Sequence, residues 1–259
     1  MELQTKLELD YSPSNIIELQ NGNYAIAADK YTLILDKNTY TIKQKLENHI
    51  KEINRVIETK NKKLITISRD KTLVVNELDE NNNYKLIQRI NEPGNINSII
   101  ELSTGELFTC NCDKNIRLYN YDENSKKYEL NYTYEVKEIT THAVEVNNGK
   151  VLILTFEGDN NVIKLLSYSL QKKKIEKMLL RYSSIYWNNY ESILNINNKY
   201  SAIILFNIIA IIDKENISVV QEVGLERDFI NVLGLYKDSN TIIFSTLGGK
   251  NYKIGRAHV

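Results

Sequence analysis

The chain has 259 residues, with 33 Lys and Arg balanced by 33 Asp and Glu. That neutrality removes the basic footprint expected of a nucleic-acid binder. The longest apolar stretch, Ala202 to Ile212 broken by Asn207, is too short to cross a bilayer, and two cysteines cannot build a disulfide framework.

Along the chain, Met1 to Leu9 comes first, with Leu3, Leu7 and Leu9 on alternating positions. It reads as an outer strand donated to close a ring. A unit of roughly 40 to 47 residues then recurs, a period that marks a repeat architecture. Each copy turns over at a similar point: Ala28-Asp29-Lys30, Ser68-Arg69-Asp70-Lys71-Thr72, Asn111-Cys112-Asp113-Lys114 and Gly158-Asp159-Asn160.

The first copy covers residues 15–46. The second, 53–90, shows the pattern most plainly, with apolar residues at period 2 rather than 3.6. Ile53 to Thr59 reads as a strand, Asn61-Lys62 as its turn, and Lys63 to Ser68 as a second strand. Arg69-Asp70-Lys71 is a tight turn, Thr72 to Leu78 a third strand, Asp79 to Asn83 a polar turn, and Tyr84 to Ile90 a fourth strand. The third and fourth copies fall at residues 95–135 and 139–181. In the fifth, 190–223, Ala202 to Ile212 supplies the second and third strands, turning at Phe206-Asn207, with a buried helix as the competing reading. The sixth, 229–253, includes Thr241 to Thr246 and breaks off in a third strand at Asn251-Tyr252-Lys253.

The last residues, 254–259, do not resemble the rest of the chain and read as the translation of a sequencing adapter. The expectation is an all-β propeller of four-stranded antiparallel blades, five full and a partial sixth, with the ring incomplete in this chain. Its parent would complete the sixth blade and could add a seventh. Glycine and proline are scarce while asparagine is abundant, so Asn is expected at turn positions needing left-handed backbone.

Leu46 to Val56, with Asn48-His49, resembles the Gly-His segment of the WD40 repeat family, and Ser68-Arg69-Asp70 resembles its Ser-x-Asp turn. The resemblance implies a buried network of His49, Ser68 and Asp70 stapling the second blade. The family's Trp position falls on Asn76, and on Tyr119 in the third copy; no copy carries Trp-Asp. Asp29, Asp113 and Asp159 mark the corresponding turns. An aspartate there accepts backbone N–H bonds, and that role is preferred over a ring of carboxylates binding a cation.

Candidate chemistry is sparse. His49 and His142 read as structural or strand residues, and His258 lies in the odd tail. Cys110 and Cys112 alternate on one strand and read as small buried hydrophobes. No His/Cys/Asp cluster has ligand spacing, no glycine loop cradles phosphate, and no catalytic residue or cofactor is assigned. Lys126-Lys127 and Lys172-Lys173-Lys174 fall in turns between third and fourth strands, where charge protects exposed edges.

Tyr182, Tyr186, Trp187 and Tyr190 cluster ahead of the fifth copy. With Arg69, the residues Tyr186 and Trp187 are the candidate partner anchors. No secretory-type leader opens the sequence, so a reducing compartment is expected, the cytoplasm first and the nucleus second. The function expected is a non-catalytic scaffold that binds protein partners through its loops within a larger complex. A small-ligand or enzymatic propeller with a central-channel site is the alternative.

Overall fold

The computed structural model describes residues 10–146, 149–160, 162–183, 192–205, 208–224, 230–235, 242–246 and 251–254. Within them every extended element is a strand, and the one helical element is a single 3-10 turn at Gly158–Asn160. Five antiparallel sheets have four strands each, hydrogen-bonded in chain order, and a sixth sheet has three.

The first sheet holds β1 (Pro13–Glu18), β2 (Tyr24–Ala28), β3 (Tyr31–Leu35) and β4 (Ile42–Leu46). The second holds β5 (Ile53–Glu58), β6 (Leu64–Ser68), β7 (Thr72–Leu78) and β8 (Tyr84–Asn91). The third holds β9 (Ile96–Glu101), β10 (Leu107–Asn111), β11 (Asn115–Asp122) and β12 (Lys127–Glu135). The fourth holds β13 (Ile139–Val146), β14 (Lys150–Glu157), β15 (Val162–Ser169) and β16 (Lys174–Ser183). The fifth holds β17 (Ser192–Asn195), β18 (Tyr200–Leu205), β19 (Ile208–Asp213) and β20 (Ser218–Gly224). The last holds β21 (Ile230–Leu235), β22 (Ile242–Thr246) and β23 (Asn251–Ile254). The apolar stretch from Ala202 thus forms two strands and not a helix. The closing strand expected at Met1 to Leu9, the turn at Phe206-Asn207 and residues 255–259 lie outside the described residues.

Burial explains the sequence pattern. Second and third strands are covered on both faces: every residue of β6 and of β10 is buried, the polar Thr66, Ser68, Thr109 and Asn111 included. Fourth strands have one free edge and keep a mixed pattern, as in β8 and β12.

Two compact units divide the chain, Met1–Thr133 and Tyr134–Val259. In the first unit, cores form between successive sheets. Leu19, Ala25, Ala27 and Ile34 pack with Ile53, Val56, Leu64 and Tyr84. On the other side of the second sheet, Ile65, Ile67, Leu73 and Val75 pack with Ile96, Ile99, Leu107 and Tyr119. First strands sit beside first strands: β5 touches both β1 and β9. In the second unit, Leu152, Leu154, Ile163 and Leu165 of the fourth sheet pack with Ile203, Ala210 and Ile212 of the fifth. There β17 touches both β13 and β21. Sheet faces packed on sheet faces, with first strands adjacent, make each unit propeller-like.

Two bulges recur. Fourth strands carry an extra residue at Lys43, Ile87, Leu179 and Val220. Such bulges twist an edge away from further pairing. First strands carry one at Ser14, Asn54, Asn97, Thr141 and Asn231.

The polar bulge residue has a purpose in the first unit. Ser14 Oγ donates to the Ile53 carbonyl at 2.7 Å, and Asn54 Nδ2 donates to the Ile96 carbonyl at 2.7 Å, each reaching the next first strand. At the other end, Gln20 N donates to Glu58 Oε2 at 2.6 Å, and Lys60 N to Glu101 Oε2 at 2.8 Å. On the outside, Gln44 clamps the backbone of Tyr84 with two bonds, 2.7 and 2.8 Å, and Gln88 does the same to Tyr128. Three links therefore repeat from one sheet to the next.

Left-handed backbone in the turns falls mainly to lysine, not to asparagine as expected. Lys62, Lys71, Lys114, Lys126 and Lys173 have positive φ; among the described asparagines only Asn82 does. These are exposed turns, where an unbranched side chain meets little but water and the cost stays small.

Candidate functional site

The best-defined polar cluster lies at one corner of the second sheet, where the loop before β5 meets the β6–β7 turn. Asp70 closes that turn on itself: the Thr72 N–H and hydroxyl donate to Oδ1 at 3.0 and 2.6 Å. Its Oδ2 receives the Ile50 N–H at 3.0 Å and lies 3.0 Å from His49 Nδ1. His49 Nε2 lies 2.8 Å from Thr66 Oγ1 on β6. This arrangement puts the imidazole proton on Nδ1 and leaves Nε2 to accept from Thr66.

Arg89 on β8 covers the cluster, donating to Thr72 Oγ1 at 3.2 Å and to the Asn48 carbonyl. Burial pushes His49 below its ordinary value; the Asp70 charge opposes this and Arg89 adds to it. Burial works against ionisation of Asp70 too, but Thr72, the Ile50 N–H and His49 outweigh it and hold the carboxyl below the usual range.

Of the residues named from sequence, His49 and Asp70 meet directly. Ser68 does not touch His49. Its hydroxyl donates to the Lys51 carbonyl at 3.0 Å and receives the Asp70 N–H at 3.0 Å, so it shapes the turn. Thr66, two residues earlier on the same face of β6, holds the imidazole instead. Asn76 is buried at the expected Trp position and accepts from Asn48 Nδ2 at 2.8 Å.

The third sheet builds the same corner from other chemistry. Glu92 stands four residues before β9, as His49 stands four before β5, and Asp113 sits in the β10–β11 turn. Arg117 on β11 lies opposite Thr109, as Val74 lies opposite Thr66. Its guanidinium bridges the two acids, 2.9 Å from Glu92 Oε2 and ion-paired with Asp113. Both Arg117 and Glu92 are buried. Burial raises the Glu92 carboxyl to about 7, with Arg117 opposing and Asp113 adding to the rise. Gly94 fits here because a Cβ would stand 2.9 Å from Asp113 Cβ.

In the fourth sheet Lys164 on β15 bridges Glu138, just before β13, and Glu157, the last residue of β14, at 2.6 and 2.9 Å. The first sheet has a shorter turn. Asp29 itself takes positive φ, and its carbonyl accepts the Ile53 N–H at 2.7 Å, so backbone does the linking. Asp159 falls in the 3-10 turn.

Arg69 is half-exposed and pairs with Glu52 at 2.7 Å across the loop. Tyr186, Trp187 and Tyr190 lie outside the described residues, whereas Tyr182 is on β16 and packs on the core of the second unit. The two cysteines do not share a strand face. Cys110 is buried in β10, which ends at Asn111; Cys112 is in the turn, its thiol donating to Asn97 Oδ1 at 3.2 Å. Among the described residues no three His, Cys, Asp or Glu gather as a metal site.

Sequence reasoning passed over Thr66, Glu92, Arg117, Gln44 and Gln88. All are polar or charged residues inside strand or pre-strand patterns, and the 43- or 44-residue spacings of His49 to Glu92 and Gln44 to Gln88 were the available signal. Compared with protein-family models and with curated proteins, the chain matches none.

Proposed function

We propose that the chain is a WD40-like β-propeller, with five full blades and a partial sixth, that acts as a non-catalytic scaffold for protein partners. The observation that carries this reading is the repeated linkage of the first unit, where the same bonds join sheet one to two and two to three. Such a frame is rigid and presents its loops at fixed spacing, as repeat scaffolds do. The ionisable groups at its corners are used in pairs that hold turns to strands: His49 with Asp70, and Arg117 with Glu92 and Asp113.

Partners would meet the loops, with Arg69, Tyr186 and Trp187 as anchors, in a cytoplasmic complex. The test compares the tagged protein with a Tyr186→Ala, Trp187→Ala variant by affinity capture and mass spectrometry. The expected result is a specific protein retained by the first and lost by the second at unchanged melting temperature. Capture of nothing above background, together with measurable turnover of a small molecule, overturns the reading.

A further inference from the structure

The loop between β1 and β2 carries one of the two Asn-Gly pairs of the sequence, Asn21-Gly22; the other, Asn148-Gly149, lies partly outside the described residues. Leu19 and Asn23 close the loop. The Leu19 N–H donates to the Asn23 carbonyl at 2.8 Å, and the Gly22 N–H to the Leu19 carbonyl at 2.7 Å. Gly22 takes the left-handed backbone on which such a three-residue hairpin loop ends. Asn21 is exposed, and its Oδ1 accepts the Asn23 N–H at 3.0 Å, which curls the side chain forward over the Gly22 peptide. The Lys37 side chain lies across the same glycine: a Cβ built there would stand 2.9 Å from Lys37 Cδ and 3.5 Å from its Nζ. The backbone N–H of Lys37 donates to Asn23 Oδ1 at 3.2 Å and holds the lysine in place.

These features meet the needs of one reaction, the intramolecular loss of a side-chain amide. The Gly22 nitrogen gives its proton to hydroxide and bonds to Asn21 Cγ. The Cγ–Nδ2 bond breaks, ammonia leaves, and a five-membered imide is closed. Water then opens the imide at either carbonyl. One opening leaves an aspartyl residue; the other routes the main chain through Cγ and leaves an isoaspartyl residue. Gly22 has no Cβ to shield the attacking nitrogen. The N–H bound at Oδ1 favours the oxyanion that forms there, and the Lys37 ammonium favours the negative charge that passes through the Gly22 nitrogen. The turn bond from Gly22 to Leu19 has to open first, a local event of low cost.

The second sheet supplies the contrast. Its β5–β6 loop is closed in the same way, by Thr59 N–H to the Lys63 carbonyl at 2.9 Å and Lys62 N–H to the Thr59 carbonyl at 2.8 Å. Asn61 stands there where Asn21 stands in the first. Its successor Lys62 has a Cβ that shields the nitrogen, and its Oδ1 is taken by the Thr59 hydroxyl at 2.5 Å.

We propose that Asn21 is a site of spontaneous deamidation, assisted by Lys37, whose isoaspartyl product loosens the joint between the first and second sheets. Gln20 carries that joint: its N–H donates to Glu58 Oε2 at 2.6 Å and its Nε2 to the Thr59 carbonyl at 2.8 Å. An isoaspartyl neighbour adds a carbon to the main chain of the loop and moves Gln20 off both partners. This assignment is independent of the scaffold reading.

The experiment ages the full chain in neutral and in mildly alkaline buffer, then digests it and resolves the peptides by chromatography and mass spectrometry. Asn21 should convert, faster at the higher pH, while Asn61 stays intact. Lys37→Met should slow the conversion about fivefold, the effect of one unit charge a few ångström away in water. The same substitution should change nothing in the chain unfolded by guanidinium chloride, where Lys37 is no longer held at Gly22. On ageing, the melting temperature of the wild type should fall further than that of Asn21→Gln. Four results overturn the proposal: Asn21 intact in the folded chain while the unfolded chain converts, Asn61 converting at the same rate, an unchanged rate in folded Lys37→Met, or equal falls in melting temperature for wild type and Asn21→Gln.

Discussion

The corners of the second and third sheets stand at the same register and perform the same task with opposite electrostatics. In the second, a neutral imidazole donates to one carboxylate and accepts from a threonine hydroxyl. In the third, a guanidinium is held between two carboxylates, one of them raised to about 7 by burial. What recurs along the chain is therefore a position that needs a link between the pre-strand loop and the turn. The residues that make the link are free to differ, provided their charges and hydrogen bonds close locally.

The sharpest way to break this comparison is to remove the central cation of the third corner. Arg117→Ala leaves buried Glu92 and part-buried Asp113 without the cation they share. A stability loss of about 3–5 kcal/mol is expected in urea unfolding, the usual cost of orphaning a buried ionic partner. Adding Glu92→Gln to that variant should restore part of the loss, because one of the two orphaned carboxylates is gone. If Arg117→Ala costs no more than an exposed substitution, the third corner is not a staple.

The next effect is one of sign. His49 is lowered from 6.5 in the folded protein, so its contribution is fully present above about 6.5 and shrinks as the pH falls below that value. Glu92 is raised from 4.5 to about 7, so its contribution is fully present below 4.5 and is lost as the pH rises through about 7. Unfolding free energies measured across this range should show His49→Gln removing a loss on acidification. Glu92→Gln should remove a loss on alkalinisation. The same trend in both variants would show that the two corners do not differ in the way their geometry implies.

The smallest effect sharpens the contrast between buried and exposed pairs. Arg69→Ala removes a half-exposed pair with Glu52 and should change stability by about 0–1 kcal/mol. A much larger change in the melting curve would place Arg69 among the structural links and remove it from the partner anchors.

The four-stranded antiparallel pattern was legible because short segments with apolar residues at period 2, such as Leu64 to Ser68, alternate with polar turns at regular spacing. Two of the turn aspartates, Asp70 and Asp113, accept N–H bonds of their own turns as the sequence suggested, since a short turn fixes what can stand there. The pairing of Asp70 with His49 was legible only through the resemblance of these segments to the WD40 repeat. Thr66 could not be told from Ser68, because both hydroxyls project from one face of β6 and only the actual reach of the imidazole decides between them. Glu92 and Arg117 were passed over because a search keyed to His and Asp does not find a corner built with the same geometry from an arginine and two acids. The polar bulge residues Ser14 and Asn54 look like ordinary turn-flanking residues until the register shift exposes their side chains to the neighbouring strand.

The clamps made by Gln44 and Gln88 have a consequence for how the protein comes into being. Each glutamine binds a backbone made 40 residues later, and the bulge and turn links of the same unit span 38 to 42 residues. None of these bonds waits for the far end of the chain. During synthesis, each sheet has all its links to its predecessor available as soon as one further repeat has left the ribosome, which permits the first unit to be built by addition from its N-terminal side.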